Sequence, residues 1–193
     1  MLVDLTVRDL LASFSSSAPT PGGGSASALA SAVGTSLLLM VAGLPKTRTN
    51  SDEDRTRLAA ATAALAPLAE QLADAIDADA AAYDAVVAAY RLPKSSPDEQ
   101  QARTTAIQRA LRAATDVPLG VMRLSAKALE QAVIVAAHGH AAAASDIGVA
   151  RSLLRAGGQG ARLNVEINLD GVKDAAYAET IRSEVQSLAS QVG

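Results

Sequence analysis

Apolar residues recur along most of this chain at three- and four-residue steps, the period of an α-helix. The longest such run starts at Asn50-Ser51-Asp52-Glu53-Asp54, whose acidic residues suit the positive end of a helix dipole, and continues to about Tyr90. That is a rod of about 55 Å, with Pro67 expected to kink it. Taking Leu65 as origin and turning about 100° per residue, Leu58, Leu72, Ile76, Tyr83, Val87 and Tyr90 fall within about 40° of one line, which predicts one buried face. Asp74, Asp77 and Asp84 point away from that line, as solvated charges should. Asp79 does not: it lies on the apolar stripe between Leu72, Ile76 and Tyr83.

A second long helix is predicted from Ser96 to about Ala137. Ser96 and Glu99 form a Ser-x-x-Glu capping box, Pro97 occupies the first helical position, and Pro118 is expected to kink it. Its stripe of Ile107, Leu111, Ala114, Val121, Ser125, Leu129 and Ala132 carries no ionisable group, which makes Asp79 the exception. Shorter helices are expected over residues 4–14, from Ser145-Asp146 through the small residues Gly157, Gly158 and Gly160, and over residues 172–191. The stretch ARLNVEINL alternates apolar and polar residues as a strand does. An isolated strand has no partner, so it is read as helix or extended tail. The fold class is all-α, a bundle of long kinked helices in a single domain over residues 1–193.

The run APTPGGGSASALASAVGTSLLLMVAGL, residues 18–44, has no charge. From Ser25 to Gly43 its length approaches the ~20 residues that cross a bilayer. Ser25, Ser27, Ser31, Ser36, Thr35 and Gly34 make its transfer energy modest, and the remainder of the chain is polar enough to be soluble. A buried central helix is expected rather than a membrane span, although a membrane-associated bundle built on this run is a rival reading.

Composition sharpens the picture. The chain has 193 residues, 49% hydrophobic, yet one Phe, three Tyr and no Trp, with alanine dominant. An alanine core fills space only when helix axes approach to the short end of roughly 8–10 Å, and so few large side chains leave one chain under-filled. A homo-oligomer is therefore expected. The net charge of −3 offers nucleic acid no basic face. Zero cysteines exclude disulfides and thiolate metal sites, and the acidic start MLVDLTVRDLLASF lacks a secretory n-region, so a cytoplasmic protein is expected.

A carboxylate on a buried stripe is costly unless paired or hydrogen-bonded, and desolvation there raises its pKa toward the range useful for acid–base work. Asp79 either performs such work or pairs with a base or caps a neighbouring helix. Gly22, Gly23 and Gly24, leading straight into a helix, leave backbone amides free for an anion or carbonyl, or simply permit a tight turn; they are not a phosphate-binding loop, because the Gly-Lys-Ser/Thr ending is missing. Ser145 and Asp146 head a helix and either cap it or face a ligand. Lys46 and Arg48, in GLPKTRT, are a solvated loop or a clamp for a carboxylate. His138 and His140 diverge on a helix, and no metal site is expected.

Several segments in this order, PTPGGGSASALASAVG, Asp79-Ala80-Ala81-Ala82-Tyr83 followed by DAVVAAYRLPK, AIQRALRAATDVPLGVMRL, ASDIGVA and LNVEINL, resemble the formiminotransferase-cyclodeaminase C-terminal family. The resemblance covers nearly the whole chain. It implies an all-helical homodimer with a folate cleft lined by the glycine loop and facing helices. It also implies hydrolysis of 5,10-methenyltetrahydrofolate to 10-formyltetrahydrofolate in one-carbon metabolism, with no metal or external cofactor. Under that resemblance Asp79 moves the protons, Gly22, Gly23, Gly24 and Ser25 seat the ring or the adduct, and Tyr83 lines the site. Ser145 and Asp146 hold the pterin edge, and Lys46 and Arg48 the glutamate tail. Cyclodeaminase chemistry uses the same carbon and is the alternative, as is a non-catalytic folate-binding dimer. Where many members have a Gly-Asn-Pro-type segment before Ser-Asp, this chain has His138-Gly139-His140-Ala141-Ala142 and lacks that asparagine. No attached formiminotransferase domain, and hence no channelled two-step enzyme, is expected.

Overall fold

Four helices begin on a side chain that accepts a hydrogen bond from the first turn, the cheapest way to satisfy amides that have no helical partner. A computed structural model describes all of residues 1–193. In it Thr6 caps α1 (Val7–Phe14), Ser51 caps α3 (Asp52–Tyr90), Ser96 with Glu99 closes a full capping box on α4 (Pro97–His138), and Asp174 caps α6 (Ala175–Val192). Two helices start without a cap of their own: α2 (Gly23–Ala42) follows Gly22, and α5 (Ala144–Leu169) follows Ala143. Single 3-10 turns occupy Leu2–Asp4 and Ala141–Ala143, and one isolated bridge joins Thr47 to Gly139. The architecture is all-helical. Both long helices run on through Pro67 and Pro118, and ARLNVEINL is the last part of α5.

The short turn at residues 91–96 makes α3 and α4 an antiparallel pair, and α2 lies against them with α5 on its other side. Close approach of α2 and α5 rests on small residues. A Cβ on Gly157 would collide with the Ser31 hydroxyl and come within 2.6 Å of the Ser27 carbonyl, so only hydrogen fits there. The hydroxyls of α2 are absorbed locally: Ser27 donates to the Gly23 carbonyl, Thr35 to Ser31, Ser36 to Ala32, and Ser31 pairs with Ser125 on α4 at 2.8 Å. Two apolar clusters share the interior. One, around Leu72, Leu119, Met122 and Val165, joins α2 to α6; the other, around Leu38, Leu65, Val135 and Leu154, fills the opposite end of the bundle.

Three expectations need correction. By length and mean hydropathy α2 is able to cross a membrane, but it is not buried all round here: half of it packs inside the bundle, while Val33 and Met40 stay 44% and 46% exposed in a hollow that Val7 and Leu10 of α1 cover only in part. Asp77 is not a free solvent charge. Its carboxylate accepts the backbone amides of Leu2 (2.5 Å) and Val3 (3.3 Å), tying the N-terminal turn to α3. Finally, the buried stripe of α3 ends near Asp79. Tyr83 and Tyr90 are 45% and 51% exposed, because α2 begins opposite Asp79 and beyond it only α4 remains to pack on, through Ala89, Ile107, Ala110 and Leu111.

Candidate active site

The uncapped start of α2 is where the site forms. Ser25, in the first turn, donates its amide to Asp79 Oδ2 at 2.8 Å, and its hydroxyl lies 3.0 Å from the same oxygen and 2.8 Å from the Ile76 carbonyl. Asp79 thus caps α2 from a different helix, and Ser25 links the two through both its amide and its side chain. Gly24 makes this approach possible: a Cβ there would overlap Asp79 Oδ1 and sit 2.5 Å from Cγ. The other carboxylate oxygen, Oδ1, takes no hydrogen bond from the chain, and the amides of Gly23 and Gly24 have no acceptor. Desolvation raises the Asp79 pKa above the ordinary carboxylate value, with the Ser25 hydroxyl and amide pulling partly the other way. The two uses of a buried acid are compatible here. One oxygen serves the helix and the other faces a cleft.

That cleft, about 280 Å³, is lined by Thr20, Gly22 and Gly23 at the start of α2, by Asp79, Tyr83 and Val86 of α3, by Leu111 and Ala114 of α4, and by Asn164 and Asn168 of α5. The two asparagines escaped the sequence reading. Asn164 and Asn168 are four residues apart, one helical turn, and so share a face of α5; the strand-like alternation of LNVEINL hides that spacing. Asn164 donates to the Gly160 carbonyl (2.8 Å) and Asn168 to the Ala114 carbonyl (2.7 Å), which fixes both amides and leaves their side-chain oxygens without a protein donor. The cleft therefore offers an acid, the free backbone amide of Gly23, two carbonyl acceptors and an apolar wall.

The remaining expected residues lie elsewhere. Ser145 and Asp146 stand at the beginning of α5, and neither caps it. Asp146 is 18 positions before Asn164, about 27 Å of helix. Lys46 and Arg48 occupy the turn beside the start of α3, and Asp54 there is 25 positions, about 37 Å, from Asp79. Arg48 is also engaged: its guanidinium donates to the Ala136 carbonyl at 2.7 Å and its amide to the His138 carbonyl, tying the turn to the end of α4. Within one chain these four residues do not meet Asp79, because α2 runs antiparallel to both α3 and α5 and places its two ends at opposite poles. That far pole has its own buried acid. Asp54, 5% exposed, accepts hydrogen bonds from the Thr49 amide and hydroxyl and the Thr47 hydroxyl, and lies 2.9 Å from His138 Nδ1; these partners hold its pKa well below the usual carboxylate range. His140 accepts from the Ala142 amide, so the two histidines face different partners, and no three His, Asp or Glu side chains converge to hold a metal.

Residues 6–187 match the family model described as Formiminotransferase-cyclodeaminase. The chain belongs to that family. Among family proteins it is similar to a methenyltetrahydrofolate cyclohydrolase from Methylorubrum extorquens, 43% identical over 60% of this chain and 55% of the relative. It is also similar to formimidoyltransferase-cyclodeaminase from Sus scrofa, 37% identical over 61% of this chain and 22% of that longer protein. The matched stretch thus spans about half of the first relative and about a fifth of the second. The crystal structure of formiminotetrahydrofolate cyclodeaminase from Thermotoga maritima superposes with a TM-score of 0.87 at 25% identity, covering 100% of this chain and 92% of that one.

Proposed function

We propose that this family member hydrolyses 5,10-methenyltetrahydrofolate to 10-formyltetrahydrofolate, with Asp79 as the group that moves protons. The observation that carries the reading is the divided carboxylate: Oδ2 held by Ser25, Oδ1 unpaired beside a cleft, and a pKa raised by burial. The bridging carbon of the substrate is already an electrophilic amidinium, so the enzyme's task is to deliver water and steer the break. Water placed by Oδ1 attacks that carbon and its proton passes to Asp79. The tetrahedral adduct then collapses: the carbon–N5 bond breaks, Asp79 returns its proton to N5, and the carbinol proton leaves to solvent as the formyl carbonyl forms on N10. The balance is one water consumed and one proton released.

The anionic form of Asp79 also favours the cationic substrate. The Gly23 amide suits a developing oxyanion, since it is a preorganised donor at the positive end of α2. The side-chain oxygens of Asn164 and Asn168 suit the N–H edge of the pterin. No step in this scheme calls for a resident metal or cofactor. The test follows loss of the methenyl absorbance with the purified chain and with Asp79→Asn. Positioned acid–base groups contribute roughly 10²–10⁴-fold, so the variant should fall by about that factor with its helical signal intact; full activity would remove Asp79 from the mechanism.

Cyclodeaminase chemistry is the second reading, favoured by the name of the superposed Thermotoga maritima protein. It attacks the same carbon with ammonia leaving, so rates on the formimino and methenyl substrates separate the two. A homodimer is part of the proposal. Val33, Met40, Val149, Leu163 and Ile167, on α2 and the adjoining α5, are 44–69% exposed, and the cleft falls just short of the roughly 300–1,000 Å³ typical of drug-sized ligands. A second chain on that face would bury the first and deepen the other.

A further inference from the structure

We infer that Pro118 is a positioning residue for substrate binding: it withholds an amide from the Ala114 carbonyl, and that carbonyl then holds the Asn168 side chain with its oxygen free for the cleft. The role rests on the folate reading above. In an α-helix the carbonyl of each residue accepts the amide four positions on, so the partner of the Ala114 carbonyl would be the amide of residue 118. Proline has no N–H, and its ring crowds the carbonyl four residues back. α4 nevertheless continues to His138, with Pro118 buried in it and Ala114 only 8% exposed. A carbonyl stranded there is costly unless a donor reaches it. The donor comes from α5: Asn168 Nδ2 lies 2.7 Å from the Ala114 oxygen.

Pro67 in α3 supplies the contrast. It strands the Ala63 carbonyl in the same way, but both residues are exposed and no side chain comes to that oxygen. Proline is also the least favourable residue for a helix interior, and an alanine at position 118 would close the hydrogen-bond ladder unaided. The Pro118–Asn168 pair is therefore not the most stable way to build this stretch of α4. Its consequence lies in the cleft, which Ala114 and Asn168 both line.

That consequence is polarity. A primary amide donates at one end and accepts at the other, and a side chain without a partner presents either end after a half-turn. A carbonyl only accepts, so the half of Asn168 that faces Ala114 must be the NH2. The oxygen is left over, takes no hydrogen bond from the chain, and offers the cleft an acceptor alone. An acceptor suits the N–H edge of a pterin, whereas an edge of lone pairs turned the same way is repelled. An amide at position 118 would compete for the Ala114 carbonyl and release Asn168 to turn.

The experiment sets Pro118→Ala, Asn168→Ala and the double variant beside the unaltered full chain, with two readouts. In denaturant, Asn168→Ala should lower the midpoint of the parent, because it strands the Ala114 carbonyl. The same change should leave the midpoint of the Pro118→Ala chain nearly unmoved, because the new amide takes that carbonyl. In turnover of 5,10-methenyltetrahydrofolate, Pro118→Ala should raise KM about threefold to tenfold, the worth of one neutral hydrogen bond, with kcat little changed because Asp79 is untouched. In the Asn168→Ala background the proline change should move KM no further. Where alanine leaves the buried site under-filled and the helical signal falls, Pro118→Val supplies the same N–H with a larger side chain and should give the same pattern. An equal loss of midpoint from Asn168→Ala in both backgrounds overturns the pairing. KM unmoved by either proline variant, or raised as much without Asn168 as with it, overturns the positioning role and leaves the hydrolase reading standing. A chain that turns over neither the methenyl nor the formimino substrate overturns the hydrolase reading and the positioning role with it, while the denaturant cycle still decides the pairing.

Discussion

Replacing Gly24 by alanine gives the sharpest test of the geometry, because local and tertiary physics predict opposite signs. At the second position of an exposed helix, Gly→Ala should stabilise by up to about 1 kcal/mol through lower backbone entropy. Here the new Cβ would overlap Asp79 Oδ1 and lie 2.5 and 2.7 Å from Cγ and Oδ2. The carboxylate must swing away, and it then loses the Ser25 amide and hydroxyl. A hydrogen bond to a charged group contributes about 1.5–3 kcal/mol, and losing a helix cap costs about 1 kcal/mol by a separate measure of the same contact. Against the propensity gain, a net loss of about 1–2 kcal/mol remains.

For a chain of this size that is a fall of roughly 2–8 °C in Tm, read by circular dichroism at 222 nm. Turnover should drop about tenfold or more, since the proton carrier is displaced. In an Asp79→Ala background the same glycine change meets no carboxylate and should become neutral or stabilising by up to about 1 kcal/mol, so a double-mutant cycle should return a coupling of about 1–3 kcal/mol. A Gly24→Ala chain at least as stable as the parent and fully active would refute the packing of α2 on α3 described here.

Three further outcomes follow from the titrating groups and the open face. Asp79, whose folded pKa is raised, opposes folding while ionised and ceases to do so as pH falls below that value. Asp79→Asn should therefore match or exceed the parent's denaturant midpoint at pH 7 and lose that advantage in acid; a large destabilisation at pH 7 would make the residue chiefly structural. Asp54 is the converse, with a depressed folded pKa: its stabilising contribution is complete above the unfolded value near 4 and is lost as pH falls through the folded one. Asp54→Asn should flatten the acid limb of stability between about pH 4 and pH 2, and an unchanged limb would show that another group drives it. Light scattering at micromolar concentration should give twice the mass of one chain, and a single-chain mass would remove the homodimer.

Much of this protein is readable along its chain because helices are local objects. Period, caps and proline positions place the two long helices to within a residue or two: the Ser96–Glu99 box and the Ser51 start depend on contacts three residues apart. The same reading picks out Asp79, since a charge on an apolar stripe is conspicuous without any knowledge of what covers it. It has no means of saying where that stripe stops. Tyr83 keeps the period and is left exposed, because burial depends on where α2 begins, a fact of the neighbour rather than of the helix.

What only the tertiary structure decides is which ends share a pole. Asp79, Gly24, Asn164 and Asn168 come from three helices and meet because α2 runs antiparallel to both α3 and α5. By the same arrangement Asp146, about 27 Å along α5 from Asn164, and Arg48, in the turn before α3, are carried to the opposite pole from that cleft. Periodicity reports the direction a side chain faces around its own axis. The relative sense and offset of two axes are set by packing of small residues such as Gly157 on Ser31, contacts between positions 126 apart in the chain, which no local pattern encodes.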